Sequence, residues 1–239
     1  MYSFKSRVRY SEVGEDKKLS LNSIINYFQD CSTFQSELLN NGVERLEELH
    51  RVWVLSSWQV VVGEYAKMGK EIKITTIPYE FKGFMGMRNF IIQDSEGRKL
   101  AWANSNWTHL DISTGLPARL TPADTDNYVL GEKMEMDYAP RKIKLPEDMI
   151  AQEAFTVQKH HLDTNHHVNN CQYVCMAEDF LPESFKIYQM RAEYKMQAKL
   201  GDVICPKVKT ETDKVVVSLD NIEGKASAIV EFLKKEGDI

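Results

Sequence analysis

The chain has 239 residues, of which 43% are hydrophobic and 27% are charged, and its formal net charge at pH 7 is -5. This composition is typical of a globular protein with a buried core, and the negative charge argues against a general nucleic-acid binder, because phosphate contacts need clustered Lys and Arg. No apolar run approaches the ~20 residues that a membrane-spanning helix needs, and the first residues lack the apolar middle of a signal peptide, so we expect a cytoplasmic protein without a membrane span.

The N-terminal part of the chain predicts a strand followed by a long helix. Residues Phe4–Tyr10 alternate apolar and polar side chains, as a half-buried strand does. From Leu19 to Leu39 apolar residues recur at i, i+3, i+4 and i+7, and Ser20 is a suitable helix cap. Asn40–Gly42 should end this helix, and Val43–His50 predicts a second, short one.

Strands dominate the next part of the chain. Runs rich in β-branched and aromatic residues predict four of them, at Val52–Val62, Glu71–Phe81, Met87–Asp94 and Lys99–Asp111. Ser95–Arg98 between the last two runs is typical of a hairpin turn. Residues 113–148 hold four prolines and little periodicity, which indicates a connecting segment.

After the connecting segment, the order of strand, polar loop and helix seen at the start of the chain occurs again, which predicts an internal repeat. Setting Val8 against Val157 without a gap aligns a strand, a polar loop and a helix in both halves, and Met68–Ile72 corresponds to Leu200–Ile204. The sequence therefore predicts an α+β protein in which each of two modules contains one helix and several antiparallel strands. We place the first module at residues 1–130, the linker at 131–150 and the second module at 151–239.

The stretch from Lys159 to Asn170 holds four of the six histidines, one carboxylate and three asparagines. In an extended segment alternate side chains point the same way, so Asp163, Asn165 and His167 would present a carboxylate, an amide and an imidazole from one face. An imidazole can accept a proton from water near neutral pH, and an amide can hold a carbonyl oxygen. The alternative is a polar loop in which Asn169 or Asn170 caps a helix at residues 171–181.

The four cysteines show no CxxC spacing, and we interpret them as reduced thiols. Cys171 and Cys175 lie one helical turn apart, close behind the histidines, so zinc binding by these thiols and nearby imidazoles is a further alternative. It is the weaker one, because the spacing matches no common zinc framework.

The run Leu162–Asn170, followed by Tyr173, closely resembles the signature of the acyl-acyl carrier protein (acyl-ACP) thioesterases, and Trp53–Leu55 and Gly69–Ile72 resemble that family's N-terminal half. The resemblance implies a tandem double hot-dog fold, in which a curved antiparallel sheet wraps one long helix in each module. It also implies hydrolysis of the thioester between a fatty acyl chain and the phosphopantetheine arm of acyl carrier protein, which would be the partner. No metal or dissociable cofactor is implied.

Carried over residue by residue, the resemblance assigns catalytic positions to Asp163, Asn165 and His167. An acidic residue is expected on the strand after the helix, but Gln197 stands where the plant members have glutamate, and Ala198 where they have cysteine. Gln197 can position water but cannot accept its proton. The resulting hypothesis is that His167 activates water, Asn165 holds the carbonyl or the water, Asp163 orients the site and Gln197 assists; an attack by Asp163 on the carbonyl is the alternative.

Two other functions share these sequence features. One is a hot-dog thioesterase acting on coenzyme A esters, and the other is a non-catalytic acyl-binding protein in which the motif only caps the helix. Basic residues such as Arg141 and Lys195 could bind an acidic carrier protein, although most of the basic residues are expected to be ordinary solvent-exposed surface residues. The sequence also permits a homodimer.

Overall fold

The computed structural model describes residues 1–183 and 185–234, so Ser184 and the last five residues of the expected second module lie outside the described residues. The chain forms two compact units. The first comprises Met1–Ser56 and Val60–Tyr138, and the second comprises Ser57–Gln59 and Ala139–Ile239.

The first unit contains an antiparallel sheet and a long helix. Its strands are β1 (Tyr2–Arg7), β2 (Arg51–Val62), β3 (Glu71–Lys82), β4 (Met85–Asp94) and β5 (Lys99–Asp111), and its helices are α1 (Leu21–Leu38), α2 (Val43–Glu48) and α3 (Pro122–Thr125). The strand order is β1-β3-β4-β5-β2. The predicted strands and the first two helices are confirmed, except that β1 ends at Arg7 and a short 3-10 turn follows at Tyr10–Glu12.

Helix α1 forms where the periodicity predicts it. The Oγ of Ser20 accepts a hydrogen bond from the backbone N–H of Ser23 at 3.2 Å and so caps the first turn. Ile24, Ile25 and Phe28 are buried in the core of this unit. The helix stops before Asn40, whose positive φ of 55° turns the chain.

The second unit repeats this plan with a shorter helix. Its strands are β6 (Ile150–Ala151), β7 (Phe155–Thr156), β8 (Ile187–Tyr194), β9 (Val203–Thr210), β10 (Lys214–Asp220) and β11 (Ala226–Lys234), and its helix is α4 (Asn170–Glu178). The strand order is β8-β11-β10-β9-β6, and β7 also pairs with β9. The predicted α+β class is confirmed.

Helix α4 begins as predicted but ends earlier than expected. The side chain of Asn169 accepts a hydrogen bond from the N–H of Cys171 at 2.8 Å, which caps the helix. Its last regular residue is Glu178 rather than Leu181, because Pro182 follows and cannot continue a helix. The backbone bond from Leu181 N to Glu178 O is a tight turn of the i to i+3 type.

The predicted internal repeat is confirmed in the hydrogen bonds. In the first unit Val8 donates to the carbonyl of Lys70 at 3.0 Å, and Gly69 donates back to Val8 at 2.9 Å. In the second unit Val157 donates to Asp202 at 2.9 Å, and Gly201 donates back to Val157 at 3.1 Å. The two halves therefore position equivalent segments in the same way, which allows the polar loops to be compared residue by residue.

The connecting segment is more ordered than its composition suggests. It contains helix α3, which the sequence pattern missed, although the Thr121 cap, the proline at the first position and Asp124 in the first turn are the usual signals of a helix start. Beyond it, Asn89 accepts hydrogen bonds from Met134 N and Tyr138 Oη, each at 3.0 Å. In the part of the chain that the structure describes, no helix is both long and apolar enough to cross a membrane.

Candidate active site

The polar stretch around Asp163 forms a tight turn and not the extended segment that the sequence suggested. Asp163 N donates to His167 O at 2.8 Å, and His166 N donates to Asp163 O at 3.1 Å. His166 has a φ of +60°, in the left-handed region, which reverses the chain. The expectation that Asp163, Asn165 and His167 share one face by simple alternation is therefore wrong. Asp163 and His167 are half-buried, and Asn165 is exposed.

The carboxylate of Asp163 holds this turn together. Its Oδ1 accepts hydrogen bonds from the backbone N–H groups of Asn165 at 2.8 Å and His167 at 3.2 Å. Such a carboxylate closes a turn on its own backbone, as Asp does where the chain reverses. Asp163 therefore fixes the backbone from which the His167 imidazole projects, and the side chain of Asn165 is left without a hydrogen bond in the described part of the chain.

The imidazole of His167 has an enclosed nitrogen without a partner. Its Nδ1 is shielded from solvent and forms no hydrogen bond to any described residue. Buried polar atoms of this kind are rare in folded proteins, and Gln29 Oε1 and His109 Nε2 share this state among the described residues. In a neutral imidazole the ring nitrogen without a hydrogen accepts protons, and a water molecule must come within hydrogen-bond distance of that nitrogen to give up a proton.

The segment that carries Gln197 lies directly beside this turn. Val168 N donates to Ala198 O at 2.9 Å, and His167 pairs with Lys199 as an isolated antiparallel bridge. Gln197 does not lie on a strand as expected, because β8 ends at Tyr194 and an irregular loop follows. The side chain of Gln197 is exposed.

Sequence reasoning missed the contact that holds this loop. The hydroxyl of Tyr173, on α4, accepts a hydrogen bond from Ala198 N at 2.9 Å and donates to Met196 O at 3.5 Å. Tyr173 is buried, and burial raises the pKa of its hydroxyl to about 12. The available signal was its place directly after the Leu162–Asn170 motif, although a motif does not specify which backbone groups a side chain contacts.

Among the remaining histidines and thiols near the turn, His161 and Cys171 form hydrogen bonds with neighbouring groups. His161 Nδ1 accepts a hydrogen bond from Gln158 N at 3.0 Å, and its pKa is lowered by burial and by the neighbouring His160. The pKa of the Cys171 thiol is raised by its hydrogen bond with Cys175 and by burial. Among residues 1–183 and 185–234, no three His, Cys, Asp or Glu side chains gather in a way that could hold a metal ion, so the zinc alternative gains no support.

Comparison with known proteins shows to which family the chain belongs. The family model for the acyl-ACP thioesterase N-terminal domain matches residues 1–128, and that for the C-terminal domain matches residues 143–232. The chain belongs to the acyl-ACP thioesterase family. The second match contains both the Asp163–His167 turn and the Met196–Lys199 loop.

Curated relatives of the chain are plant enzymes of this family. A chloroplastic acyl-[acyl-carrier-protein] hydrolase of Cuphea viscosissima is 25% identical over 215 residues, which are 82% of this chain and 52% of the relative. A chloroplastic palmitoyl-acyl carrier protein thioesterase of Gossypium hirsutum is 24% identical over 223 residues, 85% of this chain and 54% of the relative. The chain thus spans about half the length of the curated relatives that it matches.

Solved structures of the family match nearly the whole chain. An acyl-ACP thioesterase of Bacteroides thetaiotaomicron superposes with a TM-score of 0.89 at 18% identity, covering 98% of this chain and 97% of the other. The 12:0-ACP thioesterase of Umbellularia californica gives a TM-score of 0.86 at 17% identity, covering 98% and 96%. These matches confirm the expected double hot-dog fold.

Proposed function

We propose that this chain hydrolyses the thioester that joins a fatty acyl chain to acyl carrier protein, and so releases a free fatty acid. The observation that carries the proposal is the turn Asp163–His167, which the second unit holds against the Met196–Lys199 loop in a chain of this family. The turn presents an imidazole whose Nδ1 is enclosed and forms no hydrogen bond to any residue that the structure describes.

His167 is the proposed general base. It takes a proton from a water molecule whose oxygen attacks the thioester carbonyl carbon, and the carbon–sulfur bond then breaks. The proton passes from the imidazole to the departing sulfur, so the products are the fatty acid and the free thiol of the carrier. A positioned base of this kind contributes about 100-fold to 10,000-fold to the rate.

The other three residues have supporting roles in this scheme. The side-chain amide of Asn165 has no hydrogen bond to a described residue and can donate to the carbonyl oxygen or hold the water. Gln197 can orient water from the neighbouring loop. Asp163 orients the turn, because its Oδ1 is already engaged by two backbone N–H groups. Its Oδ2 forms no hydrogen bond to a described residue, so the alternative in which Asp163 attacks the carbonyl keeps an available oxygen.

The proposal is tested by steady-state release of fatty acid from acyl carrier protein thioesters of several chain lengths, with the matching coenzyme A thioesters in parallel. Turnover on the carrier protein supports it. Faster turnover of the coenzyme A thioesters would identify coenzyme A, and not acyl carrier protein, as the acyl carrier. Binding of acyl groups without turnover on either carrier would indicate an acyl-binding protein.

The repeat offers a matched pair of variants for the base. His167→Lys gives the second turn the residue type that the first turn has at the matching position, Lys18. We expect kcat to fall about 100-fold or more, because the general base is lost. Lys18→His makes the reciprocal change at an exposed position and should leave kcat unchanged. A folded His167→Lys enzyme that keeps about half of its activity or more would contradict a general base at this position.

Asp163→Asn separates the two roles of the aspartate. The amide oxygen can still accept the two backbone N–H groups, but an amide cannot form an anhydride with the acyl group. Retained turnover supports the orienting role.

We also propose the division of the chain into an N-terminal module at 1–130, a linker at 131–150 and a C-terminal module at 151–239. The family models, which match 1–128 and 143–232, support it.

A further inference from the structure

The hydroxyl of Tyr173 connects helix α4 to the Met196–Lys199 loop, which flanks the Asp163–His167 turn. Its oxygen accepts a hydrogen bond from Ala198 N at 2.9 Å, and it donates to Met196 O at 3.5 Å. One buried side chain thus holds the backbone on both sides of Gln197. Burial raises the pKa of Tyr173 to about 12, so the hydroxyl remains protonated and able to donate throughout the neutral range.

The same loop is bonded to the turn on its other side. Val168 N donates to Ala198 O at 2.9 Å, and His167 pairs with Lys199. Ala198 therefore uses its N–H toward Tyr173 and its carbonyl toward Val168. A displacement of Ala198 would be transmitted to the residue next to His167 and to Gln197.

The first half of the chain shows that this backbone arrangement forms without a tyrosine. Leu19 N donates to Ala66 O at 2.7 Å, and Lys18 pairs with Lys67, as in the second unit. The position that matches Tyr173 is Ile24, an apolar and fully buried residue. The fold therefore does not require a hydroxyl here, and the hydroxyl is found in the copy that carries the carboxylate, the amide and the imidazole.

We infer that Tyr173 is a positioning residue for the reaction: its hydroxyl fixes the Met196–Lys199 loop and so sets the places of His167 and Gln197 relative to the thioester. This inference rests on the proposed function. Tyr173 acts through the loop and does not touch the reacting atoms.

The test compares Tyr173→Phe with Tyr194→Phe. Tyr173 lies on α4, and Tyr194 donates to the carbonyl of Asn170, the first residue of α4, at 2.9 Å; no hydrogen bond joins the Tyr194 hydroxyl to the described Met196–Lys199 loop. Each variant loses one buried hydroxyl, so the free energy of unfolding should fall by a similar amount in both. Tyr194→Phe thus controls for loss of a buried hydrogen bond.

The kinetic readout distinguishes positioning from stability. We expect Tyr173→Phe to lower kcat about 10-fold to 100-fold with little change in KM, because displaced catalytic groups act on the chemical step. Tyr194→Phe should retain the wild-type kcat. Tyr173→Ile, which copies the first unit, serves as a second variant without the hydroxyl.

A double-mutant cycle with Gln197→Ala gives a further check. If Tyr173 acts through the loop, the losses from Tyr173→Phe and Gln197→Ala will be less than additive. Full kcat in folded Tyr173→Phe or Tyr173→Ile, with an active wild type, overturns this inference alone. An inactive wild type overturns the proposed function and this inference with it.

Discussion

The two polar turns of the molecule have the same backbone and different side chains. In the first, Gly14 N donates to Lys18 O at 3.0 Å and Lys17 has a φ of +60°. In the second, Asp163 N donates to His167 O at 2.8 Å and His166 has a φ of +60°. The turn itself is therefore a feature of the fold and not of the chemistry.

The carboxylate that stabilises the turn occupies different positions in the two copies. In the first turn Asp16 accepts the N–H of Lys18 at 3.0 Å. In the second, Asp163 stands at the position of Gly14 and accepts two N–H groups. The position of Asp16 is then filled by Asn165. Moving the carboxylate by two residues thus keeps the turn and leaves the Asn165 side chain without a hydrogen bond to any described residue.

The largest expected difference in stability between the copies concerns the residue before each turn. Glu12 is buried and accepts hydrogen bonds from Arg9 N and Tyr27 Oη, each at 2.8 Å. Burial alone would raise the pKa of Glu12, but the bonds from Arg9 and Tyr27 lower it overall. We expect Glu12→Ala to reduce the free energy of unfolding by about 2–3 kcal/mol, because it leaves buried donors without an acceptor.

The matching residue in the second copy is His161, which is half-buried and, among the described residues, accepts a side-chain hydrogen bond from Gln158 N alone. His161→Ala should cost about 1 kcal/mol or less. Equilibrium urea unfolding measures the free energy of unfolding of both alanine variants. An equal decrease in the two variants would contradict the difference that the contacts of Glu12 and His161 indicate.

A second prediction concerns Glu178, which matches Gln29 in the first helix. Burial, together with the nearby Asp179, raises the pKa of Glu178 to about 7 from an ordinary 4.5. Between these two values the folded chain keeps a proton that the unfolded chain releases, so stability falls as pH rises through this window. Glu178→Gln should remove this fall and be more stable than the wild type above pH 7 by about 1–2 kcal/mol.

Below about pH 4.5 the Glu178→Gln variant and the wild type should be equally stable, because the Glu178 carboxyl of the wild type is then protonated in both the folded and the unfolded state. The reciprocal change Gln29→Glu should introduce a similar pH dependence in the first unit. Chemical denaturation at a series of pH values tests both, and a difference curve for Glu178→Gln that is flat with pH would contradict the raised pKa.

The smallest effect is expected at the left-handed residues of the turns. A residue other than glycine is disfavoured at positive φ, whereas glycine loses more chain entropy on folding. Lys17→Gly and His166→Gly should each stabilise the chain by about 0.5 kcal/mol. Thermal unfolding measures the change in Tm that each glycine substitution causes. An increase in one variant and a decrease in the other would mean that the two turns do not have equivalent backbones.

Several elements follow from local sequence alone. The periodicity of α1 and its Ser20 cap, the alternation of the strands and the repeat between Val8 and Val157 depend on neighbouring residues or on direct comparison of two segments. The family resemblance likewise depended on a short motif, and it identified the fold. For helix α3 the local signals were present but the proline-rich composition obscured them.

The candidate site could be predicted only in part. Its residues were identified from the motif, but their arrangement was expected to be extended. The φ of His166 reverses the chain, and histidine is a residue for which sequence gives little warning of a left-handed conformation. The loop position of Gln197 was also missed, because the end of β8 at Tyr194 depends on pairing with β11.

Sequence comparison alone identifies two related α+β halves and shows that the second half carries Asp163, Asn165 and His167. Which groups contact one another depends on how the chain folds. Tyr173, Ala198 and Val168 are far apart along the chain or point in directions that a motif does not specify, and their contact depends on the packing of α4 against the strands of the second unit. Local pattern sets the type of each element, whereas the geometry of a site comes from long-range contacts that the chain forms only when folded.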